Sequence, residues 1–160
     1  MPVTPADYPK YMRIAHEQAL KSLSEGGIPI GGCIVHAPTG DVLSKGHNKR
    51  VQENSNIKHG ETDALENLGR VREGLLRECI MFTTLSPCIM CSGTCVLYKF
   101  PTVVLAENDN FVGGEDFLRS QGVEVVNLKD AEITKMMADW IASDAGKKIW
   151  NEDIGEVSAE

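Results

Sequence analysis

No stretch of this chain stays apolar for the ~20 residues that a membrane-crossing helix requires, although 42% of its residues are hydrophobic. The segment Met1-Pro2-Val3-Thr4-Pro5-Ala6-Asp7 has neither the basic start nor the apolar run of a secretory signal. Internal repeats, low-complexity tracts and linkers long enough to divide domains are missing as well. Basic residues are in the minority: 16 Lys and Arg face 23 Asp and Glu, for a formal charge of −7. They are also scattered, with Lys45, Lys49 and Arg50 the nearest approach to a cluster. A chain that grips nucleic acid draws its affinity from grouped Lys and Arg set against phosphate. The expected partner is therefore a small uncharged molecule, with no nucleic acid and no membrane. Cysteines number five, an odd set that suits a reducing compartment better than a disulfide scaffold. Cytoplasm is the expectation. A length of 160 residues predicts one domain over residues 1–160, large enough to bury a core.

What is present is periodic. Tyr8, Tyr11, Met12, Ala15, Ala19 and Leu23 recur at three- and four-residue spacings and predict an amphipathic helix that stops at Glu25-Gly26-Gly27. Residues 30–36 and 42–46 read as an antiparallel hairpin turned by Pro38-Thr39-Gly40-Asp41. A second helix is predicted over 59–71 and a strand over 79–85. Ser86-Pro87 would open a third helix running through Cys91, Cys95 and Tyr98, with Pro87 at the first helical position, where its missing N–H costs nothing. Strands follow at 102–106 and 123–128, separated by a loop and a short helical turn at 115–120. A helix at 131–142 and a final helical or irregular piece with Trp150 and Asp153 complete the chain. Strands alternating with helices imply right-handed crossovers and a largely parallel sheet. With the opening hairpin, the expected fold class is α/β, a three-layer α/β/α sandwich around a mixed five-stranded sheet.

Two short motifs carry the chemistry. His59-Gly60-Glu61 and the later Pro87-Cys88-Ile89-Met90-Cys91 supply three metal-ligand side chains and one nearby carboxylate, with no obvious fourth protein ligand. A catalytic zinc site needs that inventory: three ligands, an open position for water, and a separate proton carrier. Cys88 and Cys91 stand three apart at a helix start, so both thiols share a face, and the positive end of the helix favours thiolates. His59 is expected to reach the same metal from the start of the second helix. Glu61 is expected to carry protons; its plainer reading is a carboxylate favoured in a first helical turn. A side chain at position 60 would block a flat ring; the plainer reading of Gly60 is a simple helix start. A redox pair at Cys88 and Cys91 would not call for a distant His-x-Glu, and a structural zinc site would want four closed ligands. Cys95 lies ~6 Å further along the helix axis, too far for a shared centre. Cys33, Cys79 and Cys95 are expected in the core, and His16, His36 and His47 in hydrogen bonds or facing solvent.

These motifs resemble those of the cytidine and deoxycytidylate deaminase superfamily, most closely its fungal-type cytosine deaminases of pyrimidine salvage. The likeness extends over most of the chain. It includes Glu25-Gly26-Gly27-Ile28-Pro29-Ile30-Gly31-Gly32-Cys33, Gly46-His47-Asn48, Thr83-Thr84-Leu85-Ser86-Pro87-Cys88, Glu107-Asn108-Asp109-Asn110-Phe111 and Glu152-Asp153-Ile154-Gly155-Glu156. The resemblance implies a zinc hydrolase with one Zn2+ per subunit, a free nucleobase as substrate, a homodimer, and a C-terminal lid over about residues 143–156. It also implies substrate contacts. Asn48 and Asp153 would hold the polar edge of the base, and backbone groups at Gly60, Ser86 and Cys88 would complete the cradle. Phe111 and Trp150 would close over the ring, with Ile30 against its apolar side. The chain departs from the fungal pattern at Ile57-Lys58, Thr62-Asp63 and Val112-Gly113-Gly114, positions that border the pocket. Guanine, isocytosine and tRNA adenosine stay open as substrates at this point, as do a catalytically silent zinc-binding protein and a thiol redox protein.

Overall fold

The computed structural model describes residues 1–72 and 74–154, with side chains as far as residue 152. A 3-10 turn at Pro5–Asp7 leads into α1 (Tyr8–Ser24), followed by β1 (Gly31–His36), β2 (Val42–His47) and α2 (Gly60–Leu68). A second 3-10 turn, Leu75–Glu78, precedes β3 (Cys79–Thr83), α3 (Ile89–Leu97), β4 (Thr102–Leu105), α4 (Glu115–Ser120) and β5 (Glu124–Asn127). The chain then runs through α5 (Ala131–Ala142) and α6 (Asp144–Ile154).

The strands form one mixed sheet in the order β2-β1-β3-β4-β5. β1 pairs antiparallel with both β2 and β3, whereas β3–β4 and β4–β5 are parallel. The sheet is thus half antiparallel, less parallel than the alternation of strands and helices suggested. The hairpin accounts for this: it presents β1, not β2, to the rest of the sheet, and β1 runs against β3.

Side chains alternate across the pleat, so each strand feeds two cores. Cys33, Val35, Ile80, Phe82 and Val104 pack with Tyr11, Met12 and Ala15 of α1 and Ile133 of α5 on one face. Ile34, Cys79, Met81 and Val103 pack with Ala64 of α2, Cys95 of α3 and Leu118 of α4 on the other. This is the expected three-layer sandwich, and Cys33, Cys79 and Cys95 are fully buried in it. Arg13 of α1 binds the carboxylate of Asp130, which caps α5 by accepting from Ile133 N at 3.0 Å. That ion pair holds both helices of one layer together.

Helix ends follow their local chemistry. α1 stops before Gly26, which takes φ +81°, and α2 stops at Gly69 with φ +75°, earlier than the predicted end at residue 71. A left-handed glycine removes the penalty of turning the chain there. α3 starts later than expected: Cys88 is its N-cap and Ile89 its first residue, so Pro87 lies outside the helix. The Pro87 carbonyl instead accepts from Gly114 N at 2.8 Å and from Ser92 Oγ at 3.1 Å. No helix among the described residues is long and apolar enough to cross a membrane.

Candidate active site

The sheet topology gathers one set of chain segments at one edge. β3 and β4 end there, β1 begins there because it is antiparallel, and β2 returns to it at His47. Ligand sites in open α/β sheets form outside the carboxyl ends of parallel strands. Here α2 and α3 also start at that edge.

His59 is the N-cap of α2, and its backbone N–H donates to Thr62 Oγ1 at 2.9 Å. Cys88 is the N-cap of α3, and its sulfur accepts from Cys91 N at 3.4 Å. An N–H directed at sulfur favours the thiolate. Cys88 Sγ lies 3.5 Å from His59 Nδ1, and the donor atoms of His59, Cys88 and Cys91 all lie within 4.8 Å of one another. Around a tetrahedral zinc, bond lengths of ~2.3 Å to sulfur and ~2.0 Å to nitrogen put donor atoms about 3.5–3.8 Å apart. Two thiols and an imidazole at this spacing fit that ion.

The electrostatics of the donor set agree. The Cys91 thiol beside it, together with the His59 ring, brings the Cys88 pKa down to about 4. Cys91 is pushed up, first by sharing its proton with Cys88 and then by burial. Two adjacent thiols cannot both ionise cheaply; a divalent cation between them removes that repulsion. For His59, burial disfavours the charged form, but the Cys88 bond and the nearby Glu61 carboxylate outweigh it and raise the pKa.

Glu61 is the second residue of α2 and is 4% exposed. Burial, followed by the charge of Cys88, raises its pKa above the ordinary carboxylate value. Its Oε1 accepts from Thr83 Oγ1 at 2.9 Å. Gly60 also has a packing role. A Cβ there would stand 3.1–3.2 Å from the carbonyl carbon and Cα of Gly31, a tight approach that glycine avoids where α2 meets β1. Its missing side chain faces β1.

A pocket of about 370 Å³ covers this floor. It is lined by His59, Glu61, Cys88, Asn48, Ser86, Ile30, Phe111 and Trp150 among the expected residues. Cys91 lies fully buried behind Cys88, and the Asp153 side chain falls outside the described residues. Asn48 is 3% exposed; its Oδ1 accepts from Arg50 N at 3.0 Å, so it both shapes the turn after β2 and faces the pocket. Ser86 donates through Oγ to Glu115 at 2.6 Å and accepts there from Gly113 N at 2.9 Å, so its side chain is engaged away from any ligand. Trp150 meets Phe111 edge-on at 6.0 Å and Trp140 edge-on at 6.3 Å between ring centroids, geometries that aromatic quadrupoles favour. Ile28, Leu85 and Met137 pack into the same apolar roof.

Reading the sequence alone missed Arg50, Leu85 and Ile89 on the pocket wall, Thr83 at the Glu61 carboxylate, and Glu115 behind Ser86. Thr83 and Leu85 lie within a stretch that carried the resemblance, but their roles depend on contacts across the sheet that no local spacing reveals.

Comparison with known proteins accords with this architecture. The family model for the cytidine and deoxycytidylate deaminase zinc-binding region matches residues 5–107. The chain is 51% identical over 150 residues to a cytosine deaminase of Candida albicans, an alignment covering 94% of this chain and 98% of that protein. It is 36% identical over 120 residues to a tRNA-specific adenosine deaminase of Streptococcus pyogenes, covering 74% of each. A guanine deaminase from Nitrosomonas europaea shares the fold, with a TM-score of 0.73 at 19% identity over 89% of each chain. This chain belongs to the cytidine and deoxycytidylate deaminase family.

Proposed function

We propose that the chain is a zinc-dependent hydrolase that converts free cytosine and water to uracil and ammonia. The observation that carries this reading is one pocket that joins a zinc-type donor set and a buried carboxylate to an aromatic roof. The 51% identity to a cytosine deaminase over nearly the whole of both chains selects cytosine among the bases. His59, Cys88 and Cys91 would hold one zinc per subunit. When bound, zinc supplies the Lewis acidity that makes water a nucleophile near neutral pH.

The other steps fall to the chain's own residues. Glu61 accepts a proton from the attacking water and gives it to the ring nitrogen beside the reacting carbon. It then takes the remaining proton from the hydroxyl added to that carbon and passes it to the departing amino group, so that ammonia leaves, the carbonyl forms and the base becomes uracil. Asn48 holds the polar edge of the ring, joined by the backbone of Gly60, Ser86 and Cys88. By the same family likeness, Asp153 would accept from a ring N–H that the free base has and a nucleoside lacks. Phe111 and Trp150 stack over the base with Ile30 at its side, and the segment of about 143–156, whose last two residues lie outside the described residues, would act as a lid that keeps water out. In a dry pocket each polar contact gains strength.

A second copy of the chain is the expected neighbour. Ile89 and Leu97, two turns apart on α3, are 67% and 69% exposed, and Val112 is 65% exposed. Single exposed apolar side chains are ordinary on a surface, so the homodimer rests on the family likeness. We place the enzyme in the cytoplasm, in pyrimidine salvage.

The test is a panel of free bases and nucleosides with ammonia release as readout, run with metal analysis of the same sample. Cytosine turnover that is lost on chelation and restored by zinc supports the reading. Ammonia from guanine, or from adenosine in tRNA, with none from cytosine would overturn it.

A further inference from the structure

The proton carrier has a neighbour whose geometry goes beyond packing. Thr83 is the last residue of β3 and is fully buried. Its backbone is held on both sides, opposite Gly32 of β1 and Leu105 of β4, and its carbonyl accepts from Ala106 N at 3.0 Å. Along β3, Cys79 and Met81 face the α2–α3 layer. The two-residue period of a strand sends Thr83 to that face too, where Glu61 lies. A β-branched side chain has little χ1 freedom, so strand and rotamer together fix the hydroxyl.

That hydroxyl carries one hydrogen and has two acceptors in reach, Glu61 Oε1 at 2.9 Å and Leu85 O at 3.1 Å. We propose that Thr83 is a positioning residue for the deamination, one that anchors Oε1 of Glu61 and leaves Oε2 as the oxygen that moves the proton. The proposal rests on the assignment of Glu61 as proton carrier. A carboxylate on a two-bond stem rotates freely unless one oxygen is tied, and proton transfer demands a fixed donor–acceptor line. The second acceptor completes the device: the hydroxyl can turn to Leu85 O, so it stays bonded throughout the cycle and no buried donor is stranded. The arrangement depends on Oγ1 alone. Serine keeps it with more rotational freedom, whereas valine keeps the shape and removes it.

The experiment is a double-mutant cycle on the zinc-loaded protein with cytosine, using Thr83→Val, Thr83→Ser, Glu61→Gln and the pair Thr83→Val/Glu61→Gln. Thr83→Val should lower kcat about 10- to 100-fold, the range for losing a hydrogen bond to a charged group, while KM and zinc content stay near normal. Thr83→Ser should recover most of the rate. In the Glu61→Gln background, Thr83→Val should change little, because the group it acts through is already disabled. A Thr83→Val enzyme with normal kcat, or a loss of equal size in both backgrounds, overturns the positioning role. High activity in Glu61→Gln alone would instead overturn the proton-carrier assignment, so the two failures are distinct.

Discussion

The floor of the pocket hangs on two helix starts, while its roof consists of aromatic rings brought in by a loop and by α5 and α6. His59 and Cys88 are N-caps, each tied within a few residues by a backbone hydrogen bond to Thr62 Oγ1 or from Cys91 N. Phe111, Trp140 and Trp150 touch edge to face, with neighbours that are mainly apolar. The two constructions suit different tasks. Metal donors must hold position to a few tenths of an ångström, so they sit where the backbone is fixed. A cover that admits substrate and releases product is better held by contacts that have no preferred direction. Damage to the floor should therefore be close to all-or-none, and damage to the roof should be graded.

The largest effect is expected at the floor. Cys91→Ala should take bound zinc toward none and abolish turnover, with a lower unfolding temperature, because metal binding is coupled to folding. Metal analysis and thermal unfolding check both, and a variant that keeps metal and rate would show that the three donors do not act together. Glu61→Gln comes next: zinc should remain while kcat falls at least ~10²-fold, the low end for a positioned acid–base group. Near-normal turnover would remove the carboxylate from the mechanism.

The roof should respond more mildly. Trp150→Ala should leave zinc in place and lower kcat/KM about tenfold, chiefly through KM, as expected when stacking surface is lost but the reacting groups remain. Trp150→Phe should fall between that variant and the parent. A large drop in zinc content would erase the distinction between floor and roof. The smallest effect is expected at Glu115, whose carboxylate joins Ser86 Oγ to Asn108 Nδ2 between the two regions. Glu115→Gln keeps an acceptor for Ser86 and should cost about 1 kcal/mol of stability, the value of one modest hydrogen bond, with the rate near normal; denaturant unfolding measures it.

The same contrast explains what could be read from the sequence. His59, Cys88 and Cys91 were legible because ligand spacing at a helix start is a short-range property. The helices at Glu115–Ser120 and Ala131–Ala142 match their predicted limits because local spacing determines them, with the Asp130 cap fixing the start of the second. Where the outcome depends on distant partners, the reading failed. Pro87 lies outside α3 because its carbonyl meets Gly114 and Ser92. β1 runs against β3, a pairing chosen by the sheet as a whole. Thr83 meets Glu61 across 22 residues of sequence. Trp150 was expected at the roof through family likeness, but its edge-on partner Trp140 was read only as a core residue of a helix.

Zinc-edge X-ray absorption on the active enzyme tests the central claim most directly. The account predicts two sulfur neighbours at about 2.3 Å, with nitrogen or oxygen at about 2.0 Å completing four-fold coordination. A shell of four sulfurs, or full cytosine turnover in protein free of zinc, would contradict it.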